Sequence, residues 1–187
     1  QREPARGLAA CDVGEDARAG RLYLPLAWLR DNGIDPDRLM DRPGFSPELG
    51  DVVEIAKEAV GAGADGLSLI NTLRGMAIHI YSRKPRIAVG TGGLSGPAIR
   101  PIALRYVYEV KQALPRVPVI ASGGITTWED AVEFLIAGAS LVAVGTANFV
   151  NPRATLNILE GLQSYCRRQK IRSIDELKGS LVFNRRA

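Results

Sequence analysis

The sequence predicts an α/β protein with a parallel sheet, and two features of its pattern lead to that fold class. From Asp51 onward, short apolar runs alternate with longer amphipathic segments, in the order typical of strand–helix repeats. The runs are nearly continuous in apolar residues, which is typical of parallel strands covered on both faces. A doubly wound sheet and an eight-stranded βα barrel both satisfy this pattern, so it leaves the two architectures open.

The first unit consists of a helix and a strand. Asp51 and Glu54 have the spacing of a capping box, and apolar residues then recur with helical periodicity up to Gly61. Glycine readily adopts the left-handed conformation at a helix C-terminus, so the helix is expected to end there. The next apolar run, residues 66–70, predicts a strand that ends at Asn71-Thr72.

After a long loop, the second unit begins at Gly96-Pro97. Proline suits the first turn of a helix because its missing N–H would have no partner there, and the apolar stripe continues to Leu114. Residues 118–121 predict the next strand. Thr126 and Glu129 have the spacing of a second capping box and are expected to start the following helix.

Residues 140–144 predict the third strand, and Asn151-Pro152 is expected to cap a long helix after it. A last short helix is predicted over residues 173–178. Three parallel strands cannot close a barrel. If the fold is a barrel, the chain therefore contains only part of it, the last three to four βα units.

The 187 residues divide into two unequal regions. Residues 1–45 are dominated by Arg, Ala, Gly, Asp and Pro without strand–helix alternation, and we interpret them as an irregular lead-in that is poorly specified or partly disordered. Residues 46–187 hold all the strand–helix repeats. A chain of this length can bury the core of one domain.

Composition excludes several classes of protein. The formal net charge is +4, but the basic residues are scattered and no aromatic residues alternate with them, so we predict no nucleic-acid partner. No apolar run approaches the roughly 18 residues that span a bilayer, which predicts no membrane segment. Cys11 and Cys166 form no metal-binding pair, so we predict no metal site and a reducing, cytoplasmic location.

Three glycine-bearing turns carry the main functional prediction. They lie at residues 92–97, 121–125 and 144–148. Glycine lets backbone N–H groups approach an anion closely, and two of the turns lie between a strand and a helix, where the helix dipole also favours a phosphate. In βα folds, loops after the strands meet on one face. The three turns together therefore predict a site for a phosphorylated cofactor.

Other chemically capable residues are few. Asn71 and Thr72 offer an amide and a hydroxyl that suit a ring with carbonyl and N–H edges, although a structural cap explains them equally well. His79 is the only histidine and has no carboxylate or serine motif beside it, so we expect it on the surface. Cys11 lacks cationic neighbours that would lower the pKa of its thiol, and we assign it no catalytic role.

From about Ser46 to Leu181 the chain resembles the dihydroorotate dehydrogenase family, and most closely the catalytic subunit of class 1B. The resemblance is carried by these stretches: residues 63–72 (GADGLSLINT), 91–99 (TGGLSGPAI), 123–125 (GGI), 137–140 (AGAS) and 145–149 (GTANF). Membership implies an FMN-dependent (β/α)8 barrel that oxidises dihydroorotate to orotate in pyrimidine biosynthesis.

The resemblance also implies roles for individual residues. The substrate-contacting pair would be Asn71 and Thr72. The residues implied to contact FMN are Ile70, Gly96, Gly123, Gly124, Gly145 and Thr146. In this subclass, electrons leave through an iron–sulfur flavoprotein subunit toward NAD⁺, which implies a homo- or hetero-oligomer.

The chain departs from the family pattern in its first quarter. Gly44 stands where the family has a flavin-contacting lysine, and the Ser-Cys-Pro-Asn segment that holds the family's base cysteine has no counterpart. The resemblance is expected to begin abruptly near Ser46, as if an unrelated or frame-shifted segment were joined there. We therefore expect a truncated oxidoreductase that is impaired alone.

Two further readings stay open at this point. The first is a non-catalytic half-barrel that binds FMN or another phosphate ligand, in which two copies cover each other's strand edges. The second keeps the fold and changes the reaction to that of another flavin or sugar-phosphate barrel.

Overall fold

The computed structural model describes residues 9–10 and 52–183. The helices are α1 (Val52–Gly61), α2 (Arg100–Ala113), α3 (Trp128–Ala137), α4 (Ala147–Val150) and α5 (Ala154–Gln169), with 3₁₀ turns at Pro97–Ile99 and Ile174–Glu176. The strands are β1 (Ala9–Ala10), β2 (Leu67–Leu69), β3 (Leu73–Gly75), β4 (Ile78–His79), β5 (Lys84–Pro85), β6 (Gly92–Leu94), β7 (Val119–Ser122) and β8 (Leu141–Ala143).

The main sheet is parallel and has the strand order β1-β2-β7-β8. Leu69 lies opposite Ala121 between β2 and β7, and Ala121 lies opposite Val142 between β7 and β8. The sequence predicted three strands, and the fourth is β1, which pairs with β2 through Ala9 and Leu67. Part of the lead-in therefore joins the sheet, while the boundary predicted at residues 45 and 46 lies outside the described residues.

One face of the sheet carries the hydrophobic core. Leu67, Leu69, Val119 and Ala121 are buried in a single cluster with side chains from α1, α2, α3 and α5. The opposite face is only partly covered, since Ser68 and Ile120 are half-buried and Leu141 in β8 is 61% exposed. A helix layer on one face of a parallel sheet is the arrangement of a barrel wall, whereas a doubly wound sheet has helices on both faces. The fold is therefore an α/β section of a barrel.

The loop predicted after Asn71-Thr72 contains two small antiparallel ladders. We call residues 73–94 the arm. At its base β3 pairs with β6, with Leu73 opposite Leu94, and further out β4 pairs with β5. Its strands are only two or three residues long, too short for periodicity to reveal them. The arm is largely exposed, and Tyr81 at its tip is 87% exposed.

Two predicted helix caps are wrong by one or two residues. Helix α3 is capped by Thr127 with Asp130 as its reciprocal partner, and the predicted pair Thr126–Glu129 does not form the box. Helix α5 begins after Arg153, whose N–H donates to Asn151 Oδ1 at 3.0 Å, so Asn151 closes a turn before the helix. The cap predicted at Asp51 lies outside the described residues.

The predicted helix at residues 173–178 is a single 3₁₀ turn, capped by Ser173 with Glu176. None of the helices in the described part of the chain is long and apolar enough to cross a membrane.

Candidate functional site

A cleft of about 180 Å³ lies at the carboxyl ends of β2, β7 and β8. Parallel strands bring the loops that follow them to one edge of a sheet, which explains why distant residues meet here. The cleft is lined by all eight residues that the sequence assigned to cofactor or substrate: Ile70, Asn71, Thr72, Gly96, Gly123, Gly124, Gly145 and Thr146. The three glycine turns therefore converge.

The ends of β2 and β7 are fixed to each other beside the cleft. The Ile70 N–H donates to the Ser122 carbonyl at 3.0 Å, and Ser122 Oγ donates to the Ile70 carbonyl at 2.9 Å. The Leu69–Ile70 peptide bond is cis. These two hydrogen bonds set the separation between Asn71, which follows β2, and Gly123, which follows β7.

Backbone conformation and packing within the protein both require glycine at position 124. Its φ of +78° favours glycine, and an added Cβ would lie 2.7 Å from Arg100 Cβ and 2.8 Å from the Gly96 carbonyl oxygen. The turn after β7 is therefore packed directly against the start of α2. Any side chain at this position would push the two turns apart.

The first turn of α3 is occupied by a side chain of the protein. Asp130 Oδ2 accepts the N–H groups of Thr126 at 2.8 Å and Thr127 at 2.9 Å, together with the Thr126 hydroxyl at 2.9 Å. Arg100 forms an ion pair with the same carboxylate. The helix-dipole argument from the sequence therefore does not hold at these two amides, because Asp130 already accepts from them.

Gly145 is different, because no contact within the described residues requires glycine there. Its φ is not positive, and an added Cβ would find no atom within 4 Å. Among the described residues, no backbone carbonyl accepts a hydrogen bond from the N–H groups of Gly124, Gly145 or Thr146. Within the described residues, Gly145 thus combines an amide without a backbone acceptor and open space at its Cβ position, which fits a ligand with acceptor oxygens, such as a phosphate.

Asn148 holds the loop that contains Gly145. Its Nδ2 donates to the Val144 carbonyl at 2.8 Å, while its Oδ1 accepts from Thr155 Oγ1 at 3.0 Å. The loop that contains Gly145 and Thr146 is thus tied to α5 by the Asn148 side chain.

Asn71 and Thr72 form the opposite wall of the cleft, and both are exposed. The Thr72 N–H donates to Asn71 Oδ1 at 2.6 Å, which leaves the Asn71 amide nitrogen as a donor. Thr72 Oγ1 packs so closely on the arm that a Cβ added at Gly93 would collide with it. The arm therefore fixes the position of Thr72.

Sequence reasoning missed several members of the lining. Four of them lie within the glycine turns, so the motifs themselves could have indicated them: Ser95, Ser122, Ile125 and Ala147. The remaining lining residues are Ile99, Thr126 and Ala143. The cleft lining contains no Cys, His, Asp, Glu or Lys among the described residues, and hence no group suited to be a general base.

Of His79, Cys11 and Gly44, only His79 lies in the part of the chain that the structure describes. His79 lies on the exposed arm, but the expectation that it lacks a serine partner is wrong, because its Nδ1 is 3.1 Å from Ser82 Oγ. Cys11 and Gly44 lie outside the described residues.

Comparison with known proteins identifies relatives of this fold and cleft. A family model described as dihydroorotate dehydrogenase matches residues 44–166. The catalytic subunit of dihydroorotate dehydrogenase B (NAD(+)) from Alkaliphilus metalliredigens is 60% identical over 137 residues, covering 73% of this chain and 45% of that protein. The chain thus spans about half the length of the curated relatives it matches.

A second relative aligns with nearly the whole chain. The corresponding subunit from Parabacteroides distasonis is 41% identical over 181 residues, which is 97% of this chain and 55% of that protein. An alignment of this length must include most of residues 1–45. For this relative the similarity therefore extends into residues 1–45, whereas the family model begins to match at residue 44.

A solved structure supports the fold. The Eimeria tenella DHODH crystallised in complex with ferulenol superposes with a TM-score of 0.58 at 29% identity. The match covers 72% of this chain and 36% of the Eimeria chain.

Proposed function

Since the chain belongs to the dihydroorotate dehydrogenase family, we propose that it forms the FMN-lining and substrate-lining wall of an oxidoreductase that converts dihydroorotate to orotate in pyrimidine biosynthesis. The observation that carries the proposal is the convergence of all eight implied site residues on one cleft. Seven of those residues come from loops after β2, β7 and β8, which the strand order of the sheet brings together, and Gly96 follows β6 at the end of the arm.

FMN is held mainly by backbone groups. The N–H groups of Gly124, Gly145 and Thr146 donate to phosphate oxygens, and the missing side chain at Gly145 leaves room for the ligand. Gly96 and Gly123 have φ values of +85° and +116°, which side chains rarely adopt, and they line the cleft without filling it. Ile70 provides an apolar contact for the flavin ring.

The substrate is held by the wall formed by Asn71 and Thr72. The Asn71 amide nitrogen donates to a ring carbonyl, and the Thr72 hydroxyl can donate or accept at the adjacent edge. FMN, when bound, supplies the acceptor for the hydride that leaves the substrate. The residues of this chain orient the reacting ring against it.

The proton that leaves the substrate needs a base from elsewhere. The cleft lining contains none among the described residues, and the family's base segment has no counterpart in the sequence. Loss of a positioned base typically slows catalysis about 10²–10⁴-fold, so the chain alone is expected to be impaired. We propose a cytoplasmic protein whose electrons pass to an iron–sulfur flavoprotein partner.

A pair of matched variants tests the cofactor site. Gly145→Glu places a carboxylate beside the proposed phosphate position, and we expect FMN affinity to fall at least about tenfold through charge repulsion. Gly61→Glu is the control, because a Cβ added at Gly61 also meets no atom within 4 Å and the residue ends α1, outside the cleft. The measurement is quenching of FMN fluorescence during titration with purified protein. Equal affinities for both variants would contradict the assignment.

A second candidate function is a non-catalytic half-barrel that binds FMN or another phosphate ligand. The absence of a general base from the described cleft lining favours it. Turnover of dihydroorotate with a dye as electron acceptor decides between the candidates. Binding of FMN without measurable turnover supports the binder, whereas turnover supports the enzyme.

A further inference from the structure

One partly buried ion pair connects the segments that follow two of the glycine turns. Asp130 is the buried charged residue of the described core, with 3% of its surface exposed. It lies in the first turn of α3, directly after the turn that contains Gly123 and Gly124. Its partner Arg100 is the first residue of α2, which follows the turn at Gly96.

The carboxylate of Asp130 is fully engaged by these two segments. Oδ2 accepts from both N–H groups and one hydroxyl of Thr126-Thr127, and Oδ1 accepts from Arg100 Nη1. Buried carboxylates are costly unless they are paired and hydrogen-bonded, and this one satisfies both conditions. Only a carboxylate offers two acceptor oxygens that can hold a loop on one side and a guanidinium on the other.

The two turns also touch directly. A Cβ at Gly124 would lie 2.8 Å from both the Gly96 carbonyl oxygen and the Arg100 nitrogen. The spacing between the turns is therefore set by backbone contact on the cleft side and by the Arg100–Asp130 pair behind it. Thr126 lines the cleft and donates to Asp130, which links the carboxylate to the lining itself.

Arg100 also removes an electrostatic conflict. An uncompensated carboxylate close to a phosphate site would repel the ligand. The guanidinium pairs with Asp130 and lies 3.8 Å from Glu133 Oε2 as well, so it compensates acidic groups on the first two turns of α3.

We propose that Asp130 is a positioning residue for the phosphate of the bound nucleotide, acting through the Gly123–Gly124 turn and kept compatible with an anion by Arg100. The inference rests on the proposed function, because it requires that FMN binds in the cleft. Asp130 does not line the cleft, so its effect is transmitted by the loop amides that it orders.

The test compares FMN with riboflavin, which lacks the phosphate. For Asp130→Asn in the full chain, we expect FMN affinity to fall about tenfold while riboflavin affinity stays unchanged, because the variant disturbs the loop that holds the phosphate. Glu176→Gln is the matched control: Glu176 Oε1 also accepts two backbone N–H groups at a cap, but it lies outside the cleft lining. Both affinities of the control should match those of the unmodified chain.

The outcomes separate the inference from the proposed function. An equal loss of FMN and riboflavin affinity in Asp130→Asn, or no loss of either, overturns the positioning role. If this variant does not fold, Arg100→Lys takes its place, since it keeps the cation but loses the planar guanidinium. A loss of FMN affinity alone then supports the positioning role, and an equal loss of FMN and riboflavin affinity, or no loss of either, overturns it. Failure of the unmodified chain to bind FMN instead contradicts the proposed function.

Discussion

At the scale of single residues, the glycines of the cleft belong to two groups. Gly124 has a positive φ and touches Arg100, so packing and backbone conformation both require it. Gly145 meets neither requirement, and under the proposed function it leaves room for the ligand. The sequence shows both residues simply as glycine. It predicted a functional role for the glycine turns, but only the three-dimensional structure shows which of these glycines is required by packing.

Lys111 and Asp175, two charged residues outside the cleft, both interact with Lys178. Burial lowers the pKa of Lys111, and the positive charge of Lys178 lowers that pKa further. Lys178 also lowers the pKa of Asp175, through their hydrogen bond first and their charge attraction second. For Lys178→Met we expect the pKa of both residues to rise. Lys111 should recover only partly, because burial is the larger cause and remains.

NMR titration of the lysine Cε and aspartate Cγ signals measures these shifts. The sign of the stability effect follows from linkage. Because folding lowers the pKa of Lys111, its charge opposes folding at neutral pH, and this penalty disappears as the pH rises past the ordinary lysine pKa. A variant in which neither pKa moves contradicts the contacts described at Lys178.

At the scale of elements, the sequence predicted the long units and missed the short ones. Helices α2 and α5 span 14 and 16 residues, long enough for an apolar stripe to repeat several times. Strand β1 has two alanines, and its pairing with β2 is decided by tertiary contact. The cap of α3 was misplaced because two threonines precede two acids, so either pair fits the motif. The ion pair with Arg100 favours Asp130 as the capping partner of Thr127. Arg100 is distant in sequence, so the local capping motif does not reveal this contact.

The correct cap makes a measurable contribution to α3. The Thr127 side chain accepts from the Asp130 N–H at 3.3 Å, so Thr127→Ala removes a capping acceptor. We expect the free energy of unfolding to fall by about 1 kcal/mol, as for other N-cap threonines. Urea denaturation measures the change. Ser173→Ala is the control at the other capping box, where it caps only a three-residue 3₁₀ turn and should cost less.

At the scale of the whole molecule, the partly covered face of the sheet predicts association. Helices cover the face that holds Leu67 and Val119, while Leu141 on β8 is 61% exposed. Among the described residues, β8 pairs with β7 alone, so its other edge is open to a further strand. Exposed strand edges with apolar side chains are association sites, and we expect the chain to form an oligomer with itself or with a partner.

Leu141→Lys tests this expectation, because a charged side chain on the open face opposes pairing. We expect the mass measured by light scattering after size exclusion to be larger for the unmodified chain than for the variant. Gln112→Lys adds the same charge at an exposed position on α2 and should leave the mass unchanged. An unmodified chain that runs as a monomer would show that the open face is not an interface for a second copy.

The way in which the arm is attached has a practical consequence. Its base is closed by the β3–β6 ladder beside Thr72, whereas its tip has a separate β4–β5 ladder that makes its own turn. The tip is therefore a natural place for protein engineering. A reporter peptide or fluorescent label could replace residues 77–86 while the base still holds Thr72 in place.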